Sequence, residues 1–189
     1  MTGTDRPGGG PLVIRAATPD DAEAMGEVAG RSWEETYRGM IPDAVLDEWI
    51  AEVGPSWRKA LESRPPDSPA RAWLAEVDGR VVGYATTSPG RDQFAEPPAG
   101  SGELTNLYLD PAVIGSGLGR SLYEVAIHDL AERGFDPLVV WAFRDNGRAR
   151  GFYERMGLVV DIDDATWELG GVACPIVRFV APLSPASGK

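Results

Sequence analysis

The sequence predicts an α/β fold, a single domain built on a central mixed sheet of about seven strands flanked by helices. Three observations predict it. RAWLAEVDGRVVGYATT sets two β-rich runs around Asp78-Gly79, a dipeptide that readily takes the positive φ angles of a tight hairpin turn. Leu118, Leu122, Val125, Ala126 and Leu130 recur at helical spacing behind a strand-like run. PLVVWAF (Pro137 to Phe143) is a short, fully apolar strand, and the helix-like RDNGRARGFYERMG follows it.

The elements follow in order from local chemistry. LVIRAA (Leu12 to Ala17) reads as the first strand, and Thr18-Pro-Asp-Asp21 then supplies a capping residue, a first-turn proline and acidic residues for a helix start. That helix is expected from Pro19 to Gly30. Further helical turns are expected from Trp33 to Tyr37 and from Pro42 to Ile50, where Leu46, Trp49 and Ile50 share a face. The hairpin strands are Arg71 to Val77 and Arg80 to Thr87. Ser88 to Gly102 is loop by composition, and ELTNLYLD (Glu103 to Asp110) is the fourth strand. The helix after it stops at Arg133-Gly134, and the next one at Gly157. Two strands close the chain, near Leu158 to Ile162 and Val172 to Val180. No repeat or internal linker suggests a second domain, so residues 12–183 form the domain and 1–11 and 184–189 read as tails.

Composition narrows the function. A chain of 189 residues with 43% hydrophobic content can bury a sizeable core in one domain. With 18 basic and 29 acidic residues the net charge is -11, which disfavours nucleic acid and anionic membranes and suits a cationic small molecule or a basic peptide. Cys174 and His128 are the only residues of their kinds. One thiol makes no internal disulfide or cysteine zinc cluster, and a Ser-His-Asp triad would have to use His128. No metal is therefore expected. Cys174 reads as packing and His128 as exposed. The absence of a signal-like or membrane-length apolar run makes the expected location cytoplasmic.

PAVIGSGLGRSL, with glycines at 115, 117 and 119, stands between the fourth strand and its helix. Alternate glycines there let bare backbone approach a phosphate. Two common phosphate loops fail by position. The dinucleotide fingerprint requires glycine where Arg120 or Leu122 stands, and the nucleotide-triphosphate loop requires a Gly-Lys pair, whereas the only lysines are Lys59 and Lys189. What remains is a backbone nest at a helix start, suited to a pyrophosphate.

At this point the chain resembles the GNAT-type N-acetyltransferase superfamily. Its coenzyme loop reads Gln or Arg, two residues, Gly, one residue, then Gly or Ala; the stretch here is Ile114-Gly-Ser-Gly-Leu-Gly119, with Ile114 in place of the polar residue. ELTNLYLDP resembles the family's fourth strand, DNGRARGFYERMGL its last conserved helix, and VIRAATPDDAEAM with SWEETYRGMIPD the acceptor-side helices of many bacterial members. The resemblance implies a splayed sheet and acetyl-CoA as cosubstrate. It implies contacts to that cosubstrate from Leu107, Tyr108, Leu109, Ile114, Gly115, Ser116, Gly117, Leu118, Gly119, Arg120, Asn146, Ala149, Phe152 and Tyr153. The family's Asn-x-x-Ala-x-x-Phe-Tyr pattern is matched by Asn146, Ala149, Phe152 and Tyr153, and it makes Tyr153 the acid that protonates the departing thiolate. A core aromatic is the other reading of Tyr153. Glu103 stands where similar ribosomal-protein N-terminal acetyltransferases carry a general base, acting directly or through water; a solvated strand-end glutamate is its other reading.

The resemblance further places the acceptor where Trp33, Glu34, Tyr37, Asn106 and the Ser88 to Gly102 loop converge, although Trp33 and Tyr37 four residues apart also suit plain core packing. The acceptor is then a small-molecule amine or a peptide N-terminus, and Glu34, Glu35 and Glu96 favour a cationic one. Arg148, Arg150 and Arg155 join Arg120 as candidates for the coenzyme's remaining phosphate. Homodimers are common among similar proteins. The alternative to a transferase is a non-catalytic acyl-CoA sensor that keeps the fold without the chemistry.

Overall fold

The computed structural model describes residues 11–183, so nearly all of both expected tails lies outside the described residues. The chain runs β1 (Leu12–Ala16), a 3-10 turn (Pro19–Asp21), α1 (Ala22–Tyr37), α2 (Asp43–Glu62), β2 (Arg71–Val77), β3 (Arg80–Pro89) and β4 (Gly102–Leu109). It continues with a 3-10 turn (Pro111–Val113), α3 (Leu118–Glu132), β5 (Leu138–Phe143), α4 (Gly147–Arg155), β6 (Val159–Leu169) and β7 (Val172–Ala181). Seven strands form one sheet in the order β1-β2-β3-β4-β5-β7-β6. Every neighbouring pair is antiparallel except β4 and β5, so the sheet is mixed, as the sequence implied.

Each face of the sheet is covered by a different pair of helices. Strand alternation sends Ala75, Ala85, Val140, Val177 and Phe179 to one side, where Leu118, Leu122, Ala126 and Leu130 of α3 and Tyr153 of α4 bury them. Leu74 and Tyr84 point the other way, against Met25, Val28 and Ala29 of α1 and Val53 and Leu61 of α2.

Two helices are longer than the sequence suggested. α1 passes through Gly30 without a break, because Gly26 lies against α2 so closely that a β-carbon there would stand 2.7 Å from the Gly54 Cα. Packing overrides the weak helix propensity of glycine. α2 runs on through Pro55 to Glu62, burying Leu46, Val53 and Leu61. Gly54 precedes that proline, so the clash between a pyrrolidine ring and the previous residue's β-carbon does not arise. β6 also extends to Leu169, since it pairs with β7 along almost its whole length and turns at Gly170-Gly171.

Candidate active site

The parallel pair at the centre of the sheet separates almost as soon as it forms. β4 and β5 match only Gly102 with Leu138 and Glu103 with Val139, and beyond Glu103 the β4 edge toward β5 has no partner strand. The register with β3 fixes which amides face that edge. Asp110 N–H donates to the Val82 carbonyl at 2.8 Å, and amide directions alternate along a strand. The N–H groups of Leu107 and Leu109 therefore point at the open edge, and that of Tyr108 points at β3.

A bulge in β4 organises the side chains around this edge. Thr86 pairs with Asn106 but Thr87 pairs with Leu104, so Thr105 is the extra residue. One inserted residue reverses the alternation of all that follow it. Glu103 before the bulge and Asn106 and Tyr108 after it all line the α1/α2 side, whereas Leu104, Leu107 and Leu109 join the α3 side. Hydrogen bonds hold the irregularity: Asn106 Nδ2 donates to Thr86 Oγ1 at 2.6 Å, and Thr105 Oγ1 donates to the Thr86 carbonyl at 3.1 Å.

On the α1/α2 side these residues border a cavity of about 860 Å³. Its walls are aromatic. Five of the six tryptophans line it, together with Tyr37, Tyr84, Phe94, Tyr108 and Phe143. The rings brace one another: Trp33 meets Trp49 and Tyr108 edge-on at 5.9 and 5.7 Å, and Phe143 stacks on Trp167 at 5.8 Å. Tyr37 and Tyr108 bring their hydroxyls to 3.3 Å. Burial, aided by neighbouring phenols, holds the hydroxyl of Tyr37 well above its ordinary pKa.

Glu103 sits at the joint of the splay, 2% exposed. Arg91, from the loop after β3, grips it with Nη2 on Oε1 at 2.5 Å and Nε on Oε2 at 3.1 Å, and the Arg91 backbone N–H adds a third bond at 3.2 Å. The same loop carries Phe94 against Trp141 and Trp167, and Arg178 anchors it by donating to the Glu96 carbonyl at 2.9 Å.

On the other side lies the glycine loop. Gly115 and Gly117 have φ of +86° and +87°, with no atom near the position of an added β-carbon, and Gly117 is the N-cap of α3. Backbone accounting is direct here. The N–H groups of Ile114, Ser116, Arg120 and Ser121 donate to carbonyls of the same turn, but those of Gly115, Gly117, Leu118 and Gly119 find no acceptor among the described residues. Four free donors at a helix start suit an anion. Ser116 spends its hydroxyl on the Val113 carbonyl at 2.6 Å, and Ile114 is 38% exposed. Arg120 lies on the outer surface, paired with Glu124 at 2.7 Å.

α4 closes this side. Asn146 caps it by accepting from the Ala149 N–H at 3.0 Å, and Phe152 packs edge-on against Tyr123. Tyr153 is 7% exposed, between Phe152 and Phe179, and its hydroxyl makes no protein hydrogen bond among the described residues. Burial, reinforced by Tyr108 and Tyr123, raises its pKa far above 10, so it stays protonated.

The sheet thus brings Glu103, Asn106, Trp33 and Tyr37 to one cavity, with the loop and Tyr153 behind the splay. Glu34 is not among the cavity's lining residues: it is exposed on α1 and held by Arg38 at 2.6 Å, while Glu35 takes Arg148 at 3.0 Å. Three features escaped the sequence reading. The bulge leaves no composition signal, Arg91 was not singled out within the Ser88 to Gly102 loop placed beside the acceptor, and Trp57, Trp141 and Trp167 were assigned no place in the site. Cys174 is buried and His128 exposed beside Glu132, as expected.

The pattern shared by the Acetyltransferase (GNAT) family matches residues 26–158. The chain belongs to this family. Among solved structures, the GNAT chain is similar to a ribosomal-protein-alanine N-acetyltransferase from Brucella melitensis, with a TM-score of 0.71 and 24% identity over 90% of this chain and 99% of that one. It is also similar to PaiA N-acetyltransferase from Thermoplasma acidophilum in complex with coenzyme A, with a TM-score of 0.70 and 21% identity over 89% and 98% of the two chains. A mycothiol acetyltransferase from Mycobacteroides abscessus is 38% identical over 68 residues, which span 36% of this chain and 23% of that protein. The chain therefore matches only about a quarter of the length of that curated relative. Among the described residues no helix is long and apolar enough to cross a membrane.

Proposed function

We propose that this GNAT protein is an acetyl-CoA-dependent N-acetyltransferase acting on a primary amine. The observation that carries this reading is the two-sided splay, with free backbone donors behind it and a cavity containing a buried carboxylate in front. Acetyl-CoA supplies the activated acetyl thioester. The free amides of Gly115, Gly117, Leu118 and Gly119 hold its pyrophosphate, which needs no side chain at Ile114. The open edge of β4 aligns the pantetheine arm as an added strand, and the N–H of Leu107 or Leu109 stabilises the carbonyl oxygen as it becomes negative.

A lysine-like amine with a pKa of about 10.4 is overwhelmingly protonated at neutral pH, so a base must remove a proton. Glu103 takes that role. Arg91 occupies one position on Oε1 and two on Oε2, leaving a lone pair on Oε1 through which a water relays the proton. Tyr153, kept protonated by burial, donates to the departing thiolate. Asn106 faces the acceptor and Trp33 and Tyr37 form its wall. Thiol release with a panel of amines tests the reading: Tyr153→Phe lowers kcat at least tenfold while KM for the amine holds, and unchanged turnover removes the acid role.

The Arg91 grip also supports a second reading, an acyl-CoA sensor in which Glu103 is a structural ion-pair partner. Tight coenzyme binding with no amine acetylated establishes that reading instead.

A further inference from the structure

The cavity's local charge opposes that of the whole chain. Five charged residues line it: Arg64, Arg71, Arg91, Glu52 and Glu103. Arg91 and Glu103 neutralise each other, and Glu52 lies on an exposed turn of α2. Arg64 and Arg71 are left without an acidic partner among the described residues. Arg71 spends Nη1 on the carbonyls of Ser68 and Ala70, and Arg64 is half-buried with no side-chain hydrogen bond among those residues. Burial first, and the like charge of Arg71 second, push the pKa of Arg64 down, the sign of two guanidinium groups close together without a counter-ion.

The unspent hydrogen-bonding capacity of the same cavity includes a donor-only group, the Trp33 indole, and a hydroxyl, that of Tyr84, which can donate or accept. Trp33 Nε1 and the Tyr84 hydroxyl are both buried with no partner among the described residues, and both line the cavity. An indole N–H only donates, and so does a guanidinium. Unmade buried donors cost free energy, so they point to a ligand that brings acceptors. The walls around them are aromatic rings, which favour an apolar body.

Register gives the backbone spacing alone. Arg71 is opposite Thr87 on β3, and Glu103 is opposite the next residue, Ser88, so two strand spacings separate their backbones. That is roughly 10 Å. Arg71, whose place in the alternation is on the other face, lines the cavity from the first residue of β2. We infer that the acceptor is a primary amine with an aromatic or otherwise apolar body and a carboxylate at the end remote from the amine, bound by Arg64 and Arg71. The inference rests on the transferase reading for the identity of the reacting end, and it replaces the cationic acceptor suggested by net charge.

Matched probes test it: glycyl-phenylalanine against its C-terminal amide, and 4-(aminomethyl)benzoate against 4-(aminomethyl)benzamide. Binding is read from the fluorescence of the five cavity tryptophans, independently of turnover. The expected result is binding of each acid about tenfold tighter than its amide, with the ratio falling toward one in Arg64→Gln/Arg71→Gln while amide affinity holds. Equal binding of acid and amide to the unmodified protein overturns the inference and needs no variant to fold. So does a ratio that survives the double substitution. Thiol release separates the two readings: selective binding of the acids without acetylation of any probe defeats the transferase reading alone, whereas equal acetylation of acid and amide defeats the carboxylate inference alone.

Discussion

Glu103 and Arg91 face each other at 2.5 Å across the joint of the splayed sheet, the carboxylate side chain 3% exposed and the guanidinium 48%. That asymmetry decides what each substitution does. Arg91→Ala leaves a buried carboxylate with a single backbone donor and is expected to destabilise the fold by about 1–3 kcal/mol. Glu103→Gln frees an arginine that water can solvate, and costs less. The double variant should therefore be more stable than the sum of the two changes implies, by about 1 kcal/mol in urea unfolding. Strict additivity would mean that the pair is not coupled in solution.

The glycine loop separates geometry from side-chain chemistry. Gly117→Ala places a β-carbon on a residue at φ +87°, at a cost of about 1–2 kcal/mol, and displaces the free amides beside it. Coenzyme A binding, measured by calorimetry, is expected to weaken at least tenfold. Ile114→Arg restores the long polar side chain that the family's pattern carries, yet it should tighten binding less than tenfold, because the four backbone donors are already free. A gain of several orders of magnitude would place the affinity in that side chain instead.

Local chemistry made most of the fold legible before any coordinates. Asp78-Gly79 announced the hairpin, and the strands pair as Arg71–Val77 with Arg80–Pro89; Gly134 and Gly157 marked the ends of α3 and α4. What stayed hidden depends on contacts distant in sequence. The run of α2 past Ile50 is set by its packing on α1 and the sheet, and the turn composition at Gly54-Pro55 argues against it. In the site, Glu103 and Asn106 are three residues apart, a spacing that in a regular strand sends them to opposite faces; only the extra residue at Thr105 unites them. Net charge is a poor guide to the cavity for a related reason: Glu34 and Glu35 are paired with Arg38 and Arg148 on the outer face of α1, so the total of -11 does not describe a cavity lined by Arg64 and Arg71.

Asp21 ties the start of α1 to the sheet and should give stability a specific acid limb. Arg15 donates to both of its oxygens, at 2.8 and 2.6 Å, and also to Glu76, while Thr18 adds backbone and hydroxyl donors. The Arg15 bonds chiefly, opposed by burial and helped by Thr18, lower the Asp21 pKa from 3.8 to about 2. A depressed carboxylate contributes stability above its unfolded pKa and loses it as pH falls through the folded value. The contribution, roughly 1–2 kcal/mol, should thus be complete above about pH 4 and vanish toward pH 2. Asp21→Asn removes it, so the stability gap between the two proteins should shrink over that window in denaturant titrations. A gap independent of pH would assign the loss to packing alone.

The contact between α1 and α2 gives the sharpest contrast, because it separates two glycines on one helix. A β-carbon at Gly26 would stand 2.7 Å from the Gly54 Cα, which is backbone and cannot turn aside, so Gly26→Ala must force the helices apart. The expected cost is roughly 1–3 kcal/mol despite the better helix propensity of alanine. At Gly30 the added carbon meets only Ile50 Cγ2, at an ordinary 3.5 Å. Gly30→Ala should therefore gain about 0.5–1 kcal/mol, the propensity difference with little opposing it. Trp33 and Tyr37 lie one and two turns further along the same helix. Separating the helices at Gly26 should accordingly raise KM for the amine acceptor, whereas Gly30→Ala should leave it unchanged. Equal melting temperatures for the two variants would show that α1 and α2 are not in this close contact in solution.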